Sequence, residues 1–291
     1  MNPDETQLVS AQALPAGWEI LARETFRDFP VGPFPYDYTA LAEYHDVQFA
    51  EYRGRWREAT TYHAWRDAAT WNAIDDNGQM AIEQSCVRDK HLPILETGRR
   101  EWSDYRVSAR IRPIFAKPAP GKPVVAPIAQ TAQGIVGLIA RYVDSRNYVM
   151  VVFTSDDTIE LRRSTHDGFT TLASAPLAVD QDHQYLVTLE AIGERLTAIV
   201  DGQTVLTVTD PTFPAGKIAL VANVPARFQD VVVSAPTEAR QSLQRRLSED
   251  QRVLLAERER YPQPVLDRVI RTPGFGASKH VRFADLDNDG R

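Results

Sequence analysis

The sequence predicts an all-β chain: an antiparallel β-sandwich of two sheets, followed by one C-terminal helix. Three observations carry that prediction. From Trp18 to Ser234, apolar side chains recur at period two or in short Val/Ile-rich runs. Turn residues punctuate these runs, and Asp201-Gly202 between two β-rich stretches is the strongest short hairpin signal. Helical spacing emerges only after Thr237, where Leu243, Leu247 and Leu254 form one narrow apolar stripe in a densely charged segment. Many short strands with brief turns pack most simply as two antiparallel layers.

In chain order, residues 1–17 read as an acidic, polar N-terminal extension. It lacks the apolar centre of a signal peptide, which favours the cytoplasm. The sandwich is expected over 18–236, with an aromatic-rich excursion at 26–78. There, Phe26 to Trp71 holds 12 of the chain's 26 aromatics with little periodicity. Trp102 to Arg112 alternates, placing Tyr105, Val107, Ala109 and Ile111 on one face and Arg106, Ser108, Arg110 and Arg112 on the other. Five prolines between Arg112 and Pro127 make 112–127 a loop. Gly134–Tyr142 and Tyr148–Ser155 flank Asp144-Ser145-Arg146-Asn147, which reads as a hairpin turn because Asp bonds its own turn and Asn tolerates positive φ. Further strands are expected at Thr158–Ser164, Gln184–Ala191, Leu196–Val200, Thr204–Thr209, Lys217–Ala222 and Gln229–Val233. A linker helix over 237–261 stops before Pro262, and 262–291 begin another unit.

Composition narrows the function classes. The chain is 43% hydrophobic and 25% charged, which argues for a folded core rather than disorder. No apolar run reaches the roughly 20 residues of a membrane-crossing helix, so no membrane is expected as a partner. A net charge of −6 without a basic block argues against nucleic acid. Cys86 is the only cysteine, which excludes an internal disulfide or a multi-cysteine zinc site, and no neighbouring base marks it as a nucleophile.

Two stretches carry resemblances. Gly137-Leu138-Ile139-Ala140-Arg141-Tyr142-Val143-Asp144-Ser145-Arg146-Asn147-Tyr148 resembles the central hairpin of concanavalin-like jelly rolls of the laminin-G and exo-inulinase accessory type. Gly216 to Leu220 and Phe228 to Val233 are similar to that family's closing strands. The resemblance covers roughly Trp18 to Pro236 and implies a fold more than a function. Val281-Arg282-Phe283-Ala284-Asp285-Leu286-Asp287-Asn288-Asp289-Gly290 is similar to the calcium turn of FG-GAP or VCBS propeller blades, including those of family 11 rhamnogalacturonan lyases. That likeness implies a longer parent whose propeller is catalytic, with the jelly roll as an accessory and the missing C-terminal domain as its partner.

The residues point to two kinds of site. Asp285, Asp287 and Asp289 place alternate carboxylates in a tight loop, oxygen donors suited to Ca²⁺, with Gly290 permitting the turn. Positions nine and twelve of such a loop lie beyond Arg291, so Ca²⁺ is expected in the full-length parent and not on this stretch alone. The aromatic excursion mixes rings with planar polar groups, as sugar sites do: a ring covers the apolar face of a pyranose while polar groups fork to its hydroxyls. Tyr36, Tyr38, His45, Trp56 and Trp65 are the candidates, with Arg141 on the sheet's concave face as a sixth. The same aromatics could instead hold the excursion against the sandwich, and Arg141 could pair outward with a cross-strand acid.

No closely spaced acid and nucleophile pair occurs on one strand; Glu83, Glu160 and Glu190 stand singly, and the hydrolase, metalloprotease and Walker motifs are absent. The expected function is therefore an accessory carbohydrate-binding module acting on a polysaccharide or oligosaccharide. Two alternatives stay open. One is a glycoside hydrolase-like enzyme with its site in the sandwich, resembling 3-keto-disaccharide hydrolases. The other is a purely structural domain packed on the propeller.

Overall fold

The computed structural model describes residues 14–34, 56–59, 71–85, 92–115 and 133–261. Two antiparallel sheets stack face to face. The nine-stranded sheet contains β1 (Trp18–Glu24), β2 (Gly32–Pro33), β4 (Trp71–Asp76), β5 (Gln79–Gln84), β7 (Tyr105–Pro113), β12 (Tyr185–Ile192), β13 (Arg195–Val200), β14 (Gln203–Thr209) and β16 (Ala226–Pro236). The seven-stranded sheet contains β3 (Arg57–Glu58), β6 (Ile94–Thr97), β8 (Ile135–Asp144), β9 (Asn147–Thr154), β10 (Thr158–Thr165), β11 (Gly168–Pro176) and β15 (Lys217–Ala222). Helix α1 (Thr237–Arg260) follows β16 directly. This is the all-β antiparallel two-sheet sandwich with a C-terminal helix that the period-two pattern predicts.

Strand order in the larger sheet is β14-β13-β12-β7-β16-β5-β4-β2, with β1 also on β16. In the smaller sheet it is β11-β10-β9-β8-β15-β6-β3. The alternation read in β7 holds: Tyr105, Val107, Ala109 and Ile111 are fully buried and face inward. They meet Leu138, Ala140, Val151 and Leu220 from the opposite sheet. Each large side chain buried this way stabilises the fold by about 1.5–3 kcal/mol. Strands β8 and β9 read as unbroken apolar runs because both faces of the smaller sheet are covered. Ile135, Ile139, Met150 and Val152 point away from the core, yet none is more than 5% exposed.

The excursion contains regular structure of its own. Strands β4 and β5 form a hairpin through Asn77-Gly78, both at positive φ (59° and 84°), the primed turn that Asn-Gly favours. Strand β11 is a further strand outside the expected set. Helix α1 packs on β1 and β16 through its first turns only: Leu243 is buried and Leu247 half-buried, whereas Leu254 is 57% exposed. Among the described residues, no helix is long and apolar enough to cross a membrane.

Candidate functional site

Of the sequence-predicted site residues, Trp56 and Arg141 are described; Tyr36, Tyr38, His45, Trp65, Asp285, Asp287 and Asp289 lie outside the described residues. Trp56 is 2% exposed and its ring lies 5.6 Å from that of Phe26, which meets Phe34 edge-on at 5.9 Å. It belongs to the core.

Arg141 is 1% exposed and sits at a β8 irregularity with φ 51°. The positive φ swings its side chain inward, so it neither lies on an open face nor pairs outward with an acid. Its guanidinium donates to the carbonyls of Phe213 (2.8 Å), Gly193 and, at 3.5 Å, Ser103. Burial pulls its pKa below the usual arginine value, opposed by the nearby Tyr105, Asp104 and Asp210. The Tyr105 hydroxyl accepts the Arg141 N–H at 2.6 Å and lies 3.0 Å from the carbonyls of both Gly216 and Lys217, to which it donates. This clasp ties three loops at one end of the sandwich.

Glu83 and Asp76 both pair with Arg227, at 2.8 and 2.7 Å, but the three glutamates that stood singly in the sequence do not converge on one another. Glu83 on β5 and Glu190 on β12 share a sheet but stand three strand spacings apart, about 14 Å. Glu160 is on the other sheet. A second carboxylate of that sheet, Glu96 on β6, pairs with Lys217 Nζ at 2.7 Å, four strand spacings or about 19 Å from Glu160. Glycosidase pairs need roughly 5–9.5 Å. Among the described residues, no group of three His, Cys, Asp or Glu is placed to hold a metal ion.

What the structure does bring together is a polar row at the β10–β11 margin of the smaller sheet's outward face. Period two places Thr158, Glu160, Arg162 and Ser164 of β10 on that face. Glu160 accepts from Arg162 Nε (2.7 Å), Thr171 Oγ1 (3.0 Å) and Thr158 Oγ1 (3.3 Å). The Arg162 hydrogen bond, followed by those of Thr171 and Thr158, outweighs burial and holds the Glu160 carboxyl below its ordinary pKa. Arg162 also donates to Gln133 Oε1, whose amide nitrogen donates to Asp156 at 2.6 Å. Thr171 is exposed, and Phe169, two residues earlier on the same face of β11, is 56% exposed.

Beside the Ser164 end of that row, on the central strands β8 and β9, Tyr142 and Tyr148 stack at 6.0 Å. Burial pushes the Tyr148 phenol up to about 12. The apolar floor of that face around Ile135, Ile139, Met150 and Val152 is covered, and among the described residues Ala59 and Leu92 pack on it.

The β10–β11 row was not among the sequence candidates. Its signal was present as Thr158-x-Glu160-x-Arg162-x-Ser164, four polar residues at strand spacing. Thr171 and Phe169 join it through the β10–β11 hairpin, and Gln133 from just before β8.

No family model matches this chain, and no curated protein matches it. Solved structures similar to it include a family 66 carbohydrate-binding module from Bacillus subtilis: 17% identity over 62% of this chain and 95% of that one, with a TM-score of 0.46. A glycoside hydrolase family 16 endo-glucanase from Bacteroides ovatus matches at 10% identity over 74% of this chain and 100% of that one, TM-score 0.46. A galectin from Caenorhabditis elegans matches at 10% identity over 52% and 94%, TM-score 0.36.

Proposed function

We propose that this chain is a carbohydrate-binding β-sandwich module that holds a saccharide against the outward β10–β11 margin of the smaller sheet. The observation that carries the reading is the Glu160–Arg162 pair. It is a fixed acceptor and a planar donor fork, flanked by the Thr158 and Thr171 hydroxyls and the Gln133 amide, beside the exposed Phe169 ring. Sugar hydroxyls in adjacent positions need such preset donors and acceptors, and a pyranose offers an apolar face to a ring. The separations of Glu83, Glu96, Glu160 and Glu190 weigh toward binding rather than glycoside cleavage by these groups.

Tyr36, Tyr38, His45 and Trp65 would extend the contact. The finer reading is an accessory module of a larger carbohydrate-active protein with a propeller, resembling family 11 rhamnogalacturonan lyases. Ca²⁺ there would be held by Asp285, Asp287 and Asp289. The motif at 281–290 supports it.

The test is affinity electrophoresis followed by calorimetry of the chain against pectic, hemicellulosic and neutral glycans. One class should bind, and Arg162→Ala should weaken that binding at least tenfold without loss of the folded spectrum. Retained affinity in Arg162→Ala, or silence across all three classes, would sink the assignment.

A further inference from the structure

We propose that the margin formed by β11 and β14 is a self-association surface, and that its partner is a second copy of this chain. Strand β11 ends the smaller sheet and β14 ends the larger one, and the two meet at the same side of the sandwich. Among the described residues no strand pairs with the free side of either. Open strand edges are templates for pairing, and proteins that stay apart guard them with charge, especially lysine.

Neither edge here is guarded by charge. Gly168–Pro176 and Gln203–Thr209 contain no Asp, Glu, Lys or Arg at all. In a chain that is 25% charged, sixteen such residues would all be uncharged by chance about once in 100. The opposite end of the smaller sheet, β3, is Arg57-Glu58.

A second copy is the occupant that suits both edges together. An antiparallel pair about a two-fold axis sets β11 beside β11 and brings β14 toward β14, so each edge meets its own equivalent, with the bulges at Leu172 and Val205 interrupting the ladder. A foreign strand would satisfy one edge only. The pairing would extend the smaller sheet across the axis and set two Glu160 rows three strand spacings apart, about 14 Å, facing the same way. The inference does not depend on what those rows bind.

The experiment is sedimentation velocity of the full chain across a concentration series, comparing the wild type with Thr170→Lys/Thr207→Lys and Thr170→Glu/Thr207→Glu. Both positions are exposed and lie outside the polar row. The wild type should sediment at twice the 32.7 kDa of one chain. Each charged variant should raise the dissociation constant at least tenfold, because a charge near a two-fold axis meets its own copy. An equimolar mixture of the two variants should recover the dimer. A wild type that stays at the monomer mass at every concentration overturns the proposal. So do charged variants that dimerise as the wild type does, or a mixture no more associated than its components.

Discussion

Replacing Arg141 by alanine should be among the most damaging single changes in the sandwich, although it forms no ion pair among the described residues. Its guanidinium satisfies two carbonyls well, those of Phe213 and Gly193, and a third at the limit of range, Ser103. Bonds from a charged donor contribute about 1.5–3 kcal/mol each. Truncation would take the shared donor from partly buried acceptors in three loops, for an expected loss of about 1.5–3 kcal/mol. Set against a total stability of about 5–15 kcal/mol, that is a large fraction. The backbone supplies an internal control. At φ 51°, a residue with a Cβ is strained by about 1–2 kcal/mol, which glycine escapes. Arg141→Gly should therefore be less damaging than Arg141→Ala by about 1 kcal/mol. Urea unfolding followed by tryptophan fluorescence measures both. A loss below about 1 kcal/mol for Arg141→Ala would show that water replaces the clasp and refute the reasoning.

Two further outcomes follow from the same coordinates. Gly137→Ala should cost about 3 kcal/mol or more, or abolish soluble expression, since a Cβ there would collide with the Val151 carbonyl oxygen and lie 2.8 Å from Val152 Cα; a thermal melt near wild type would contradict it. Acid should remove the Glu160 contribution. The folded carboxyl titrates below the unfolded one, chiefly through its Arg162 bond, so its stabilisation is full above the ordinary glutamate pKa of about 4.3 and fades as pH falls through the lower folded value. Unfolding midpoints of wild type and Glu160→Gln, measured from about pH 6 downward, should converge in that window, and parallel curves would speak against it.

The sheet architecture was legible because burial writes itself into spacing. In β7 every second residue is apolar and enters the core, and the Asp201-Gly202 turn joins β13 to β14 as its composition demands. Asn77-Gly78 carries an equally plain hairpin signal, but it closes a stretch, 26–78, in which dense aromatics leave little strand periodicity. Strand β11 was hidden for a different reason. Gly168-Phe169-Thr170-Thr171-Leu172 has no clean alternation, and the strand exists because β10 offers it a ladder, with a register shift at Leu161/Arg162. The site was less legible than the fold. Arginine is normally a surface residue, and nothing in the letters around Arg141 announces the positive φ that turns it inward. The Thr158-to-Ser164 row could be seen as alternation. That its outward side would meet Thr171 and an exposed Phe169 depends on the register and bulge of the β10–β11 hairpin, and Gln133 comes from just before β8, two strands away; none of this is encoded in the row itself.

Strand β1 pairs along β16, and the Thr237 N–H donates to the carbonyl of Gly17, its partner 220 residues away in the chain. During synthesis at about 5–20 residues per second, the first strand made waits on the order of 10–40 s for the last one. Until then its ladder groups stay open to chaperones and to neighbouring nascent chains, and the larger sheet cannot close. Such long-range closure makes for slow folding, and a ribosome that stalls shortly before β16 would release a polypeptide with its opening strand unmatched.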